Sequence, residues 1–268
     1  MSDTETDQRY LVSLAGAISG WDQSEEKLRK AFADNEFILY GQSIVRLLPA
    51  GDKRPHFEVF VRLLEEEQQL IPPGTFLPLL EHYNLAPQLD RYVVHTLLDS
   101  YEKKGPGEWG IAHLNLCVST FSDQEFCVYV GDEIKRTRVP AEFLCFEFPG
   151  GESALPADAQ QLAEGIKKIG CRISVGAVED DSISFKPIKE LHADYLKIGG
   201  GLIRNLEDHA AAAEVRTAAR ACRSFDVQTI AQYVESAPTL TVLRKLEIDF
   251  AQGYGISKPA PLAGAPKR

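Results

Sequence analysis

The sequence predicts an α/β fold: a TIM-like (β/α) barrel whose first strand runs antiparallel to the rest, preceded by short N-terminal helices. Three observations carry this. Eight runs of strand character follow one another: "FILYGQSIVRL", "HFEVFVRL", "IAHLNLCV", "FLCFEFP", "RISVGAV", "DYLKIG", "VQTIAQYV" and "FAQGYGI". Helical patterns separate most of them, the arrangement that builds βαβ units around a parallel sheet. Only "LPAGDKRP" lies between the first two, too short for a parallel crossover, so those two pair antiparallel. Eight strands over most of 268 residues fit a closed barrel better than an open doubly wound sheet.

The elements follow in order. Residues 1–6 read as an acidic tail. "QRYLVSLAGAISGW" and "DQSEEKLRKAFADN" read as short amphipathic helices, with Asp22 or Ser24 as N-cap. Between strands the helical segments are "TFLPLLEHYN" with "LDRYVVHTLLDSYEKK", then "DQEFCVYVGDEIKRT", "ADAQQLAEGIKKIG", "SFKPIKEL", "AAAAEVRTAARACRSF" and "TLTVLRKLE". "PAPLAGAPKR" closes the chain as a tail. The expected organisation is a lead-in over 1–35, a barrel over 36–262 and a tail over 263–268.

Composition bounds the function. A hydrophobic content of 44% and a charged content of 25% are globular values. A net charge of −10 argues against DNA or RNA as partner, because nucleic-acid binding needs a basic footprint; an anionic ligand must be held by a local basic spot. Five scattered cysteines without a C-x-x-C pair suggest buried free thiols in a reducing compartment. The six histidines show no metal-ligand spacing, so solvated or capped histidine is the default. No apolar run approaches the roughly 18 residues of a membrane span and the N-terminus is unlike a signal peptide, so a soluble cytoplasmic protein without membrane insertion is expected.

In such a barrel, functional groups gather at the C-terminal ends of the strands. Glu58 and Arg62, Asn115, Glu147, Lys197, Gln232 with Glu235, and Gln252 all fall there. One polar residue at a strand end is unremarkable; six strands each contributing one is harder to dismiss.

Seven segments carry a resemblance. "LYGQSIV" is similar to L-x-Y-Q-P-I-V, "FEVFVRL" to E-A-L-L-R, and "IPPGTFLPLLEHYNL" to P-x-x-F-I-P-x-A-E. "LNLCVSTF" is similar to V-N-L-S, "LCFEF" to L-x-L-E-I-T-E, "DYLKI" to D-x-L-K-I-D, and "QGYGISKP" to Q-G-Y-x-x-S-K-P. From Glu36 to Pro261 the chain resembles the EAL domain, a bacterial phosphodiesterase family that opens cyclic di-GMP. The resemblance implies a barrel with an antiparallel first strand, which agrees with the hairpin already inferred. It also implies two divalent cations that polarise the phosphate and generate hydroxide.

Carried across residue by residue, the family's metal ligands leave Glu58, Asn115 and Glu147 in place, with Lys197 as a neighbour. The paired aspartates of D-D-F-G-T-G fall on Gly176 and Ala177; the register is fixed by the 21 residues from Gly176 to Lys197. The aspartate of L-K-I-D is Gly199, and the first glutamate of A-E-G-V-E is Gln232. Glu152 is a loose substitute for the second acid of L-E-I-T-E, and Glu179, Asp180 and Asp181 lie beyond the expected strand end. A hydrolase must lower its barrier by on the order of 8–23 kcal/mol, and two cations would carry most of that. With these acids gone, the expectation is a domain that is not an enzyme, needs no metal or other cofactor, and keeps Glu58, Asn115, Glu147 and Lys197 as vestiges.

The ligand-binding parts implied by the resemblance are retained. Arg62 offers a guanidinium for phosphate, and Phe60 and Val61 would press on a guanine. Gln42 and Gln252 offer amides, Glu235 accepts from a guanine edge, Asp90 is a guanine or ribose contact, and Tyr233 adds a stacking face. The bland alternative for Arg62 is a pair with Glu58 across the mouth. "EVF", "LDRYVV" and an aromatic before "VE" resemble FimX-type receptors, which bind cyclic di-GMP without cutting it and act in type IV pilus biogenesis and twitching motility, in some bacteria through a PilZ-domain partner. The expected function is thus a cyclic di-GMP receptor that signals through a PilZ-domain or other signalling protein. The alternatives are a nucleotide-independent sequestering domain and a weak residual phosphodiesterase.

Overall fold

The structure, a computed structural model, describes residues 24–49, 53–65, 69–104, 110–150, 155–176, 183 and 185–262. The expectations placed on 1–23, on Glu152, on Ala177, on Glu179, Asp180 and Asp181, and on 263–268 lie outside these residues.

Helix α1 (Ser24–Ala33) leads into β1 (Phe37–Arg46) and β2 (His56–Leu64), which form an antiparallel hairpin with Gln42 opposite Glu58 and Ile38 opposite Arg62. A short β3 (Leu70–Ile71), α2 (Pro73–His82) and α3 (Ala86–Lys104) come next. Then follow β4 (Ile111–Asn115), α4 (Phe126–Thr137), β5 (Leu144–Phe148), α5 (Ala159–Ile169), β6 (Arg172–Val175) and α6 (Lys186–Glu190). The chain continues through β7 (Tyr195–Ile198), α7 (Gly200–Arg204), α8 (His209–Ser224), β8 (Gln228–Ala231), α9 (Ala237–Lys245), β9 (Phe250–Ala251) and β10 (Ala260–Pro261).

The sheet order is β1-β9-β8-β7-β6-β5-β4-β2, and the β1–β2 pairing closes it. β1 is antiparallel to both neighbours, β2 and β9, and the pairs from β2 through β4 to β9 are parallel. The predicted α/β barrel with an antiparallel first strand is the fold observed. Part of the segment read as a tail is instead ordered sheet: β10 pairs with β1, and Leu262 N–H donates to Leu39 O at 2.9 Å. Pro261 is tolerated there because β10 is an edge strand.

Strand alternation sorts the core into two compartments. Outward-facing residues such as Leu114, Phe146, Phe148, Val175 and Ile198 join the buried faces of the helices in one large cluster. α5 contributes Leu162, Ala163 and Ile166 at helical spacing, and Gly170 ends it with φ +98°, a conformation that favours glycine. Ile44, Ile111, Cys145, Tyr195, Ile230 and Phe250 form a second, smaller cluster that plugs the barrel. The cysteines of the described residues are free thiols, and burial pushes those of Cys171 and Cys222 up to about 12. Among the described residues, no helix is long and apolar enough to cross a membrane.

Candidate functional site

Above the apolar plug, alternation brings a polar layer inward. Glu58 is its centre, 4% exposed. Its Oε1 accepts from Asn115 Nδ2 at 2.9 Å, and its Oε2 accepts from Gln252 Nε2 at 2.6 Å and lies 3.1 Å from Lys197 Nζ. Lys197, fully buried, also forms a short ion pair with Glu147. Gln252 Nε2 reaches Gln42 Oε1 at 3.0 Å, and Gln42 Nε2 donates to Ser257 O at 2.8 Å. This chain of donors and acceptors ties β1, β2, β4, β5 and β7 to the end of β9 across the barrel.

Burial pushes Glu58 toward the neutral form, but the Lys197 charge and the donors from Asn115 and Gln252 outweigh it, so its pKa sits below the ordinary value. For Glu147 burial wins over Lys197, and the nearby Glu58 charge adds to it, so its pKa is raised. Burial opposes the charge of Lys197, yet two carboxylates facing it raise its pKa and keep it an ammonium. The layer thus balances two carboxylates against one lysine.

Gly176 explains the lean of Glu147: a Cβ at 176 would come 2.8 Å from Glu147 Oε1, so the carboxylate uses space that a side chain would fill. Beneath the layer, His56 Nδ1 and His113 Nε2 lie 3.3 Å apart. His113 is fully buried; burial and the nearby Lys197 hold its pKa well below the usual value, so it is neutral. The expectation of solvated histidines is therefore corrected for these two, which pack against Tyr195 inside the barrel.

At the rim, Phe60 and Arg62 share the face of β2 that carries Glu58, since side chains alternate along a strand. Arg62 does not pair with Glu58, which Lys197 holds instead; its Nη1 donates to Val61 O at 2.9 Å and its guanidinium lies 5.7 Å from the Tyr40 ring. Tyr233 and Glu235, just past β8, are exposed. Lys197, Glu58, Asn115 and Glu147 are thus brought together, and Gln42 and Gln252 are engaged with them, both buried. Among the described residues, the buried Gln252 Oε1 has no hydrogen-bond partner.

Two residues expected as ligand contacts, Val61 and Asp90, stand apart from this face. Val61 points to the opposite face of β2 from Phe60 and packs against the outer apolar cluster. Asp90, 5% exposed, turns into the protein, where its Oδ2 accepts from Cys117 N at 2.9 Å and from Thr120 Oγ1 at 2.6 Å. As placed, Asp90 braces the turn that follows β4. Glu81, which carried no expectation, does the same from α2, accepting from Val118 N at 2.8 Å.

The resemblance implies two cations here. Glu58, Asn115 and Glu147 offer oxygens of the type a hard cation takes. Both oxygens of Glu58 already accept N–H donors, however, and among the described residues no three His, Cys, Asp or Glu side chains converge to hold a metal. The described residues fill part of one cation's shell and do not by themselves fit a pair.

Comparison with known proteins bears on this. The chain is similar to the cyclic di-GMP phosphodiesterase PdeB of Shewanella oneidensis, 27% identical over 241 residues that cover 88% of this chain and 28% of the relative. It is similar to the cyclic di-GMP phosphodiesterase PdeF of Escherichia coli, 28% identical over 239 residues covering 88% of this chain and 32% of the relative. The chain spans about a third or less of the length of these curated relatives. Among solved structures it is similar to the FimX EAL domain of Pseudomonas aeruginosa bound to cyclic di-GMP, with a TM-score of 0.78 at 24% identity, covering 87% of this chain and 94% of the other.

These relatives correct two expectations. The chain was expected not to be an enzyme, whereas its curated relatives are named phosphodiesterases. The expectation that no metal takes part falls with it, because hydrolysis of this kind is what the family resemblance ties to divalent cations. The EAL domain model matches residues 25–259, almost the whole described chain, and the protein belongs to the EAL domain family.

Proposed function

We propose that this domain recognises cyclic di-GMP at the barrel mouth and passes its bound state to a protein partner, a PilZ-domain or other signalling protein of the type IV pilus system. The observation that carries the recognition is the rim itself. Arg62 and Phe60 share one face at the end of β2, and Tyr233 and Glu235 stand exposed past the end of β8. A guanidinium there suits phosphate, two aromatic rings suit guanine faces, and a carboxylate suits the N1–H and N2–H₂ edge. The relatives named for cyclic di-GMP and the likeness to the FimX EAL domain support this reading. The pilus and PilZ part is supported by the sequence resemblance alone.

Calorimetric titration of cyclic di-GMP into the wild type and an Arg62→Ala variant tests it. Loss of a charge-assisted phosphate contact is expected to weaken binding by about 10-fold or more. A wild type that shows no heat of binding sinks the proposal.

The names of the relatives, together with the meeting of Glu58, Asn115 and Glu147, favour a second reading in which the bound nucleotide is also cut. Incubating the protein with cyclic di-GMP and Mg²⁺ or Mn²⁺ and resolving linear pGpG decides it. Product that disappears in Arg62→Ala assigns turnover to this mouth.

A further inference from the structure

Tyr233 is held in a conformation that its residue type disfavours. Its φ of +57° lies in the left-handed region, an outlier for an aromatic side chain. The backbone on either side is pinned: Gln232 N donates to Ile198 O at 3.0 Å, and Val234 N donates to Gln252 O at 2.9 Å. Gly253 lies directly beneath, where a Cβ would come 2.2 Å from Val234 N and O. This geometry throws the Tyr233 ring outward, where it is 54% exposed.

Something else sets the direction of that ring. α7 starts on Gly200, and a Cβ there would come 2.8 Å from Tyr233 Cδ2 and 3.2 Å from Arg204 Cζ. The bare glycine therefore lets the ring and the guanidinium close on the same patch of backbone. Arg204, one turn later on α7, sets its guanidinium 4.7 Å from the Tyr233 ring centroid, and its Nε lies 3.7 Å from Glu235 Oε1. A single side chain touches both rim residues past β8. Its fork can meet a ring face and a carboxylate together, which a lysine ammonium does less well.

We infer that Arg204 is a positioning residue for nucleotide recognition, holding Tyr233 and Glu235 in the orientation in which they receive a guanine base. The inference rests on the cyclic di-GMP reading of the mouth. Exposed ion pairs contribute little to folding, so the arrangement has small value for stability alone. Arg204 also adds a positive charge to the rim of an acidic chain, where an anionic nucleotide must approach.

The test is calorimetric titration of cyclic di-GMP into the wild type, Arg204→Ala, Arg204→Lys, Tyr233→Leu and the Tyr233→Leu/Arg204→Ala double variant, each with its melting temperature. Arg204→Ala is expected to bind about 5-fold more weakly, the scale of a lost cation–π contact and its ion pair, without a change in melting temperature. Arg204→Lys is expected to recover part of the loss, and Arg204→Ala is expected to cost much less once Tyr233 is leucine. Wild-type affinity in Arg204→Ala overturns the inference while leaving the cyclic di-GMP reading standing. An undiminished loss in the Tyr233→Leu background overturns it too, by assigning Arg204 a direct contact with the nucleotide. A wild type that does not bind overturns both.

Discussion

Replacing Lys197 with methionine is expected to cost about 3–5 kcal/mol of folding stability, the range for removing one partner from a buried ion pair. Lys197 is fully buried, and its ammonium is the cation facing both Glu58 and Glu147. Methionine is close in volume, so the loss comes from charge and not from a cavity. Without the ammonium, two buried carboxylates confront each other, and one of them must take up a proton to fold. Its folded pKa then stands above the unfolded value of 4.5, so its contribution is fully present below that value and is lost as pH rises through the folded pKa. The deficit of the variant is therefore expected to widen from pH 5 to pH 8. In the wild type the raised Glu147 and the lowered Glu58 act with opposite signs, so their pH dependences oppose each other. Urea denaturation at both pH values reads this as a shift in midpoint at constant slope. Adding Glu147→Gln to the variant should return part of the loss, because it removes one of the two charges. A deficit below about 1 kcal/mol, or one independent of pH, would show that the layer is solvated and not balanced by Lys197.

Much of this arrangement was legible in the sequence, and the reason is periodicity. Eight strand patterns, a connection too short for a crossover and the alternation within "HFEVFVRL" are local signals, and they placed Glu58, Phe60 and Arg62 on one face. The same alternation puts Val61 on the other face of the strand, apart from Phe60. Asp90 was less readable. Its partners, Cys117 and Thr120, lie 27 and 30 residues away, and nothing in "QLDRYVV" tells a helix acid that braces a distant turn from one that meets a ligand. The burial of His56 and His113 was equally hidden, because each looks like an ordinary polar interruption of a strand. α7 is five residues long and opens on glycines, too short to show a helical period, so Arg204 drew no notice. The reading of the acids failed differently. Counting absent aspartates on one chain pointed away from an enzyme, whereas the family of the chain is populated by proteins named as phosphodiesterases.

Asp90 carries the second large effect, and its sign is unusual for a carboxylate. Burial raises its pKa from 3.8 to about 6, against the lowering by the bonds from Thr120 and Cys117. A raised folded pKa means that the stability contributed by Asp90 is fully present below 3.8 and is lost as pH climbs through about 6. The whole window is worth about 3 kcal/mol, and about half of it falls between pH 5 and pH 8. An Asp90→Asn variant keeps an oxygen that accepts from Cys117 N–H and the Thr120 hydroxyl but cannot ionise. Its stability relative to wild type is therefore expected to improve by about 1.5 kcal/mol on going from pH 5 to pH 8. Parallel pH profiles for the two proteins, from urea midpoints across that range, would contradict the burial of this charge. The consequence reaches the site, because the turn that Asp90 braces begins two residues after Asn115, a donor to Glu58. Deprotonation strengthens those two bonds but leaves a buried charge beside the β4 end, and the cost of burying it lowers the free energy of opening just where the polar layer is assembled. Hydrogen exchange at Cys117 N–H should then quicken above pH 6 beyond its ordinary base-catalysed rise in the wild type, and not in Asp90→Asn.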